Sequence, residues 1–310
     1  MSNALAGTGR VSAETAARIK ALVEEVGYVP RHAARALRTG RSGLLGLVAP
    51  DLTNPTFPSF TQAISRAARQ RGFAVLLADS RDDNAVQTTE IAHLLSRGAD
   101  ALIIIPRRGS VIEKPPVPTA IIDSAGRPDN VVSSDHREGG RAIARHLREL
   151  GHRRILILAG PKEATVARER TSGMADVLAG VKGAQWRLVH SEPSLAAGER
   201  LAPSERADAT AIACAYDSLA IGAIAGLLRA GVCIPEDVSV TGFDDLAWGA
   251  VMSPALTSVR QDFSAIAEIA VAHVLGEPSE PQLVPMQLIV RASSAPPSTQ
   301  AFRLKQGVQS

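Results

Sequence analysis

The sequence predicts an α/β fold in which two doubly wound lobes, each built on a parallel sheet, follow a partial all-α segment at the N-terminus. After residue 43, short apolar runs of strand length alternate with amphipathic stretches of helix length, which is the pattern of βαβ units. These units are too many for one compact domain, so two similar lobes are expected. Before residue 43 the pattern is helical and the charge is basic.

The N-terminal segment is predicted to hold one helix, a second short helix and a linker. Ser12 is expected to cap the first helix, with Glu14 in its first turn and Gly27 at its end. The stretch His32–Arg38 has the composition of a short helix, and Thr39–Gly43 has that of a linker.

The two lobes follow from the apolar periodicity of the remaining chain. The predicted strands are Leu44–Val48, Phe73–Ala78, Ala101–Pro106, Pro118–Asp123, Ile155–Ala159, Ala211–Ala215, Val238–Thr241 and Pro285–Val290. The predicted helices are Phe57–Gln70, Val86–Arg97, Arg137–Leu150, Arg168–Ala179, Ser218–Ala230 and Ala265–Leu275.

The positive charge is concentrated at the N-terminus. The 310 residues carry a formal net charge of +3, of which residues 1–41 contribute +4 and the remainder −1. A basic segment on a near-neutral body is typical of proteins that contact nucleic-acid phosphates, although a solvated basic tail has the same composition. The charged fraction of 21% excludes wholesale disorder. No apolar run is long enough for a membrane span and MSNALAGTGR lacks a secretory signal pattern, so a cytoplasmic protein is expected.

Motifs that support catalysis are sparse. The sequence lacks G-x-S-x-G, the P-loop, H-E-x-x-H and C-x-x-C, and its seven histidines are scattered, so we expect no enzyme, no metal site and no cofactor. Cys214 and Cys233 are too few for a disulfide framework or a zinc set and are expected to be buried thiols. Asp244 and Asp245 are adjacent at a strand end and point to opposite faces, which favours binding over acid/base chemistry.

Several long motifs occur in a fixed order along the chain. They are GRVSAETAARIKALVEEVGYVPRHAARALRTGRSGLLGLVAPDLTNPTF, DHREGGRAIARHLRELGHRRILILAGP, ARERTSG, YDSLAIGAIAGLLRAGVCIPEDVSVTGFDDLAWGAVMSPALTSVRQDF and LIVRASS. In this order they resemble the LacI/GalR family of bacterial transcriptional regulators over nearly the whole chain. The resemblance implies a helix-turn-helix headpiece, a hinge helix, and a core like that of periplasmic sugar-binding proteins, with an effector between two lobes.

The resemblance also implies a domain organisation and partners. The headpiece is expected at residues 1–30, the hinge helix and linker at 31–43, the N-terminal lobe at 44–150 plus 262–287, the C-terminal lobe at 151–261 plus 288–297, and a tail at 298–310. The chain is expected to cross between the lobes near Leu150-Gly151, Arg260–Phe263 and Leu288. A homodimer would read near-palindromic operator DNA, without a membrane, and a small-molecule effector, a sugar or sugar derivative, would change the operator affinity of this repressor.

Nine residues are assigned to DNA contact by the resemblance. Leu37 matches the leucine that wedges between base pairs in the minor groove, and Arg35 and Arg38 would contact phosphates or the narrow groove. The alternative for Leu37 is packing within a linker. The nine residues are Ser2, Asn3, Arg10, Tyr28, Arg31, His32, Arg35, Leu37 and Arg38.

Seven residues are assigned to effector binding by the resemblance. Arg170, in an R-x-x-G pattern, would offer guanidinium donors, and Asp244 would accept hydrogen bonds from two sugar hydroxyls. The seven residues are Phe57, Asp135, Glu138, Arg170, Tyr216, Asp244 and Phe263. Asp217 is expected to cap a helix rather than to bind the effector.

The sequence departs from the family at two places. Met1–Leu5 matches only the last turns of the recognition helix, so the headpiece is N-terminally truncated. Residues 1–30 are then expected to be poorly ordered alone, and specific operator binding to be lost or weak. A valine codon read as a start at Met1 would explain this by a misplaced start; the alternative is a truncated ligand-binding core that dimerises without reading operator DNA. In the cleft, Tyr216 replaces an asparagine of many sugar-binding members, and Glu192–Ala209 is short, which predicts a trimmed helix.

Overall fold

The computed structural model describes residues 12–25, 40–106, 110, 112–123, 127–278 and 282–298. In the first of these ranges Ala13–Glu25 forms helix α1, and the Ser12 hydroxyl accepts a hydrogen bond from the Thr15 N–H at 3.2 Å, so the predicted cap is confirmed. All nine residues assigned to DNA contact lie outside the described residues.

The remaining elements alternate as the periodicity predicts. The strands are β1 Leu44–Ala49, β2 Ala74–Asp79, β3 Ala101–Ile104, β4 Thr119–Ile122, β5 Asn130–Ser134, β6 Arg154–Ala159, β7 Gln185–His190, β8 Ala211–Cys214, β9 Ser239–Thr241, β10 Ser258–Arg260, β11 Gln282–Val284 and β12 Gln287–Ile289. The helices are α2 Thr56–Gln70, α3 Asn84–Ser96, α4 His136–Glu149, α5 Thr165–Ala179, α6 Leu195–Glu205, α7 Asp217–Arg229, α8 Ala247–Val251 and α9 Phe263–Val274.

Two parallel sheets organise these elements, which confirms the predicted fold class. The first sheet has the strand order β11-β5-β4-β3-β1-β2, and α2 and α9 pack on it around a core that includes Leu45, Ile64 and Ile266. The second sheet has the order β7-β6-β8-β9, with a core around Leu158, Leu219 and Ile224. We call the first sheet with α2, α3 and α9 the first lobe, and the second sheet with α4–α8 the second lobe. Strands β10 and β12 pair antiparallel in a separate two-stranded ribbon.

The first crossing between lobes differs from its predicted position at Leu150-Gly151. Helix α4 packs against α5, and its Ile143 and Leu147 are buried with Ile155 of β6. The helix therefore belongs to the second lobe, and the predicted lobe boundary at residue 150 is wrong. The chain crosses where β5 ends and α4 begins, because the apolar face of α4 is covered by the second sheet.

Several elements escaped the sequence prediction. Strands β5, β7, β10 and β11 and helix α8 were not predicted, since they are short or, like β7, mostly exposed. Where a trimmed helix was expected, α6 has 11 residues and begins at the Ser194 cap.

Helices α4 and α5 approach each other through two glycines. A Cβ atom on Gly140 would overlap the carbonyl oxygen of Arg170, and one on Gly173 would overlap that of Arg137. The missing side chains allow the two backbones to touch. This contact fixes the start of α4 against the middle of α5, where the site described below is built.

Within the described residues, no helix combines the length and the apolar composition that crossing a membrane requires.

Candidate functional site: a cleft between the lobes

A cavity of about 870 Å³ lies between the two lobes. Its walls include the loops that follow β1–β4 in the first lobe and those that follow β6–β9 in the second. The carboxyl ends of parallel strands are where α/β proteins commonly bind ligands, and the volume is within the ~300–1,000 Å³ typical of ligand pockets.

A buried ion pair lies on the floor of this cleft. Arg170 Nη2 donates to Asp244 Oδ1 at 2.7 Å, and the two side chains are only 3% and 4% exposed. Arg170 Nη1 donates to the Ala215 carbonyl oxygen at 2.7 Å. The guanidinium lies between the rings of Tyr216 and Phe243, whose centroids are 4.8 and 4.0 Å from its carbon atom. These contacts hold Arg170 in one orientation.

Burial dominates the acid–base behaviour of Asp244. Desolvation raises the pKa of its carboxyl, and the charge and hydrogen bond of Arg170 offset that rise only in part. The adjacent Asp245 instead pairs with Arg260 and Arg291, at 2.6 Å each, so the two carboxylates have separate partners.

A histidine that the sequence prediction missed connects the ion pair to the first lobe. His136 is 1% exposed, and its Nε2 lies 2.8 Å from Asp123 Oδ1. Arg170 Nε donates to His136 Nδ1 at 3.3 Å, so Nδ1 accepts and the proton is on Nε2, which donates to Asp123. Burial raises the pKa of Asp123, but the hydrogen bond from His136 and the positive charge of the nearby Arg170 act in the opposite direction, and the net pKa is lowered.

Gln261 adds a second link between the lobes, at the second crossing. Its amide nitrogen donates to Asp244 Oδ1 at 2.8 Å, and its carbonyl oxygen accepts from the Ser134 hydroxyl at 2.8 Å. Side chains from both lobes therefore meet in one polar network under the cleft. Asp123 could have been noticed in the sequence, since it ends a predicted strand, but nothing there pairs His136 or Gln261 with it.

Asp217 does not cap a helix as expected. It is the first residue of α7, and its buried side chain accepts from the Ser258 hydroxyl at 2.6 Å and from the Leu246 N–H at 2.7 Å. It thus fixes the loop that carries Asp244. Burial, followed by the charge of Asp244, raises the pKa of Asp217 to about 7.

Replacing Asp217 with asparagine is expected to change how stability depends on pH. The folded protein keeps this carboxyl protonated up to about pH 7, whereas its ordinary pKa is 3.8, so its contribution to stability falls as pH rises between these values. An asparagine side chain cannot ionise, so the variant does not lose this contribution as pH rises. Between pH 4 and pH 7 its unfolding free energy should therefore increase relative to that of wild type by up to about 4 kcal/mol. Urea unfolding at pH 4 to 8 measures it; a constant difference would contradict the account.

Aromatic side chains form the apolar part of the cleft. Phe60 and Phe263 make an edge-to-face contact with centroids 5.1 Å apart, and both line the cavity together with Phe57 and Tyr216. Trp248, on α8, also lines the cavity and is 61% exposed. The sequence prediction did not include it, because an exposed tryptophan on a five-residue helix has no periodic signal.

The structure brings together five of the seven residues assigned to effector binding. Phe57, Arg170, Tyr216, Asp244 and Phe263 all line the cleft.

The prediction that Asp135 and Glu138 line it is wrong. Asp135 caps α4 by accepting from the Glu138 N–H at 2.9 Å, and Glu138 pairs along the helix surface with Arg145 at 2.7 Å and with Arg141. Both are used by α4 itself, which turns away from the cleft.

The cysteines and two further histidines, His146 and His152, do not line the cleft. Cys214 is buried, which raises the pKa of its thiol, but Cys233 is exposed, so the expectation of two buried thiols is wrong for Cys233. His146 bonds to Ser294 at 2.9 Å, and His152 to the Ala295 carbonyl oxygen at 2.9 Å. Among the described residues, no group of three or more His, Cys, Asp or Glu side chains could hold a metal ion.

Comparison with known proteins found matches that share this architecture. The sequence profile of a family described as a periplasmic binding protein-like domain matches residues 144–294. The structure of the lac repressor dimer bound to operator and the anti-inducer ONPF is similar, with a TM-score of 0.83 and 26% identity, and the match covers 95% of this chain and 94% of that one.

Curated relatives cover nearly all of the chain. The HTH-type transcriptional regulator reg1 of Streptomyces lividans is 30% identical over an alignment of 321 positions, gaps included. The alignment covers 95% of this chain and 92% of that protein. The HTH-type transcriptional regulator AscG of Escherichia coli (strain K12) is 31% identical, with 96% and 95% covered. The family predicted from the order of motifs is confirmed: the chain belongs to the LacI/GalR family of HTH-type transcriptional regulators.

Proposed function

We propose that the protein is an operator-binding repressor whose affinity for DNA is controlled by a sugar or sugar derivative bound between its lobes. The observation that carries the proposal is the cleft of about 870 Å³ with the buried Arg170–Asp244 pair on its floor. The relatives are transcriptional regulators, which supports a binding role rather than catalysis. Such a role places the protein beside the chromosome, in the cytoplasm.

The chemistry of the cleft favours a carbohydrate. Sugars have apolar C–H faces and a rim of hydroxyls, and the cleft offers aromatic rings together with carboxylate and amide groups. Tyr216 lines this wall and adds an aromatic ring to it.

Control of DNA binding follows from the origin of the wall in two lobes. A ligand that contacts both lobes binds one relative arrangement of the lobes better than another, and so shifts the population toward it. In a homodimer on a near-palindromic operator, that shift changes the spacing of the two DNA-binding segments. The basic charge of residues 1–41 supports DNA contact by this part of the chain.

Trp248 gives a test of the effector site. A screen of mono- and disaccharides by thermal unfolding is expected to find a stabilising sugar, because a ligand at 100 times its Kd adds about 2.7 kcal/mol to the unfolding free energy. Trp248→Ala should weaken the binding of that sugar about fivefold, since stacking on an aromatic ring contributes ~1 kcal/mol. Without sugar, the melting temperature of the Trp248→Ala protein should be close to that of wild type, because the Trp248 side chain is exposed.

The matched control is Trp186→Ala. Trp186 is 40% exposed on β7 and does not line the cleft, so its loss should leave the calorimetric Kd for the sugar unchanged. Equal affinities for wild type and Trp248→Ala, or a screen in which no sugar stabilises the wild type, would count against effector control through this cleft.

A further inference from the structure

We infer that Asp123 is a second ligand-accepting carboxylate on the cleft floor, positioned by His136, and that the floor selects the hydroxyl or ammonium groups of an uncharged or cationic ligand over a phosphate or carboxylate. The inference rests on the proposed function, because it assigns chemistry to the same cleft. It adds two residues and a charge preference to that cleft.

Asp123 and Asp244 occupy corresponding places in the two lobes. Asp123 follows β4 in the first lobe, Asp244 follows β9 in the second, and both line the cavity. Both also have a positive φ, +53° for Asp123 and +111° for Asp244. Side chains other than glycine rarely adopt this conformation, and it concentrates at ligand-binding positions. A ligand whose hydroxyls reach both carboxylates would join the two lobes.

The donors on the floor are already engaged by the protein. Arg170 donates to Asp244, to the Ala215 carbonyl oxygen and to His136. Gln261 donates to Asp244 at the same oxygen, Oδ1, that Arg170 uses. Because a carboxylate has about four acceptor sites, acceptor capacity remains on the floor while the guanidinium is committed on three sides. A ligand group that reaches the floor must therefore donate hydrogen bonds.

The charges of the described wall point the same way. Five carboxylates and two guanidiniums line it, and each guanidinium is held by a carboxylate. Arg127 is held bidentately by Asp129 at 2.9 and 2.8 Å, and Arg170 is held by one contact with Asp244 at 2.7 Å. The five carboxylates are Asp51, Asp82, Asp123, Glu192 and Asp244. An anion on the floor would have to displace Asp244 from Arg170 or lie against carboxylates.

Helix α5 adds hydrogen-bond donors on the outer wall of the cleft. It begins at the cleft without a side-chain cap, so its first backbone N–H groups can bind ligand oxygens. A sugar hydroxyl both donates and accepts, and it can serve the carboxylates and these N–H groups together. A phosphate or carboxylate group could accept from these N–H groups, but it cannot donate to the carboxylates of the floor, so the preference is set by the floor.

His136 acts on the ligand through Asp123. Its Nε2–H holds one oxygen of Asp123, and its Nδ1 faces Arg170. Glutamine at position 136 can place an amide N–H near the Nε2 position and keep the bond to Asp123. The shorter asparagine ends near the Nδ1 position, which faces Arg170, and cannot reach Asp123. The two variants therefore separate the contact with Asp123 from the contact with Arg170.

The experiment uses the full chain and four sugar sets. Thermal unfolding and calorimetry would compare glucose, glucosamine, glucose 6-phosphate and glucuronate, the corresponding galactose compounds, ribose with ribose 5-phosphate, and neutral disaccharides. The neutral or amino compound of a set should bind, and its phosphorylated or carboxylated form should bind at least tenfold more weakly. Asp123→Asn and His136→Asn should each weaken the best ligand about tenfold or more, His136→Gln by less than about threefold. Glu236→Gln, an exposed charge change outside the cleft, should match wild type.

The outcomes separate the inference from the proposed function. An anionic compound that binds more tightly than its neutral parent, or an Asp123→Asn protein that binds like wild type, overturns the inference while effector binding stands. A panel in which nothing binds wild type overturns effector control, and the inference with it. If Asp123→Asn weakens ligand binding but His136→Gln and His136→Asn weaken it equally, His136 does not act by positioning Asp123.

Discussion

Replacing Arg170 with leucine is expected to lower the free energy of unfolding by about 3–5 kcal/mol, because the substitution leaves a buried carboxylate without its cation. Asp244 would lose its partner at 2.7 Å while its side chain stays 4% exposed. The Ala215 carbonyl oxygen and His136 would each lose a donor as well. Urea unfolding followed by circular dichroism measures the loss, and the sugar that stabilises the wild type should no longer do so.

The double variant Arg170→Leu/Asp244→Leu provides the control. Removing both charges removes the unpaired carboxylate, so much of the lost stability should return even though ligand binding does not. The single variant should also recover toward wild type as pH falls, because protonation neutralises the isolated Asp244. A double variant no more stable than Arg170→Leu, or a loss below about 1 kcal/mol in the single variant, would contradict this account of the ion pair.

Replacing Gly173 with alanine is expected to destabilise the second lobe by about 3 kcal/mol. The added Cβ would overlap the carbonyl oxygen of Arg137, so α4 and α5 must move apart. His136 begins α4 and Arg170 is on α5, so the same movement would weaken their contact and reduce ligand affinity. Thermal unfolding and sugar calorimetry on one sample report both effects.

Gly180→Ala is the matched control for this prediction. Gly180 follows α5 with φ −80°, and the nearest atom to an added Cβ is the Val177 carbonyl oxygen at 3.6 Å, an ordinary contact. This variant should be within about 0.5 kcal/mol of wild type. If Gly173→Ala is as stable as Gly180→Ala, the close approach of the two helices does not contribute to the fold as described.

Periodicity predicted the buried strands and failed at the edges. Strands such as β6 and β8 have every or nearly every side chain buried, and their apolar runs are visible in the sequence. The edge strand β7 has three exposed residues at its start and mixes Gln185, Trp186 and Arg187, so nothing distinguishes it from a loop. The lobe boundary near residue 150 failed for a related reason, since an amphipathic pattern shows that α4 buries one face but not which sheet covers it.

The site was predictable in part. Arg170 and Asp244 are 74 positions apart, and their proximity came from the order of motifs rather than from residue spacing. Asp135 and Glu138 were assigned to the cleft through the motif that begins DHREGG, but in this chain α4 uses them for its own cap and surface pairs. His136, the next residue after Asp135, points to the floor instead. A change of one position on a helix turns a side chain by about 100°, which sequence matching does not resolve.

Binding of one ligand in the cleft is expected to change the affinity of the protein for DNA. The most direct test is fluorescence anisotropy of the full chain on DNA from upstream of its own gene, over a range of salt concentrations, with and without the sugar that raises its melting temperature. We expect the DNA affinity to fall steeply with salt, the saturating sugar to change it by about 5- to 150-fold, and Asp244→Asn to abolish the sugar effect. A sugar that saturates the cleft while the DNA dissociation constant stays unchanged would contradict this expectation.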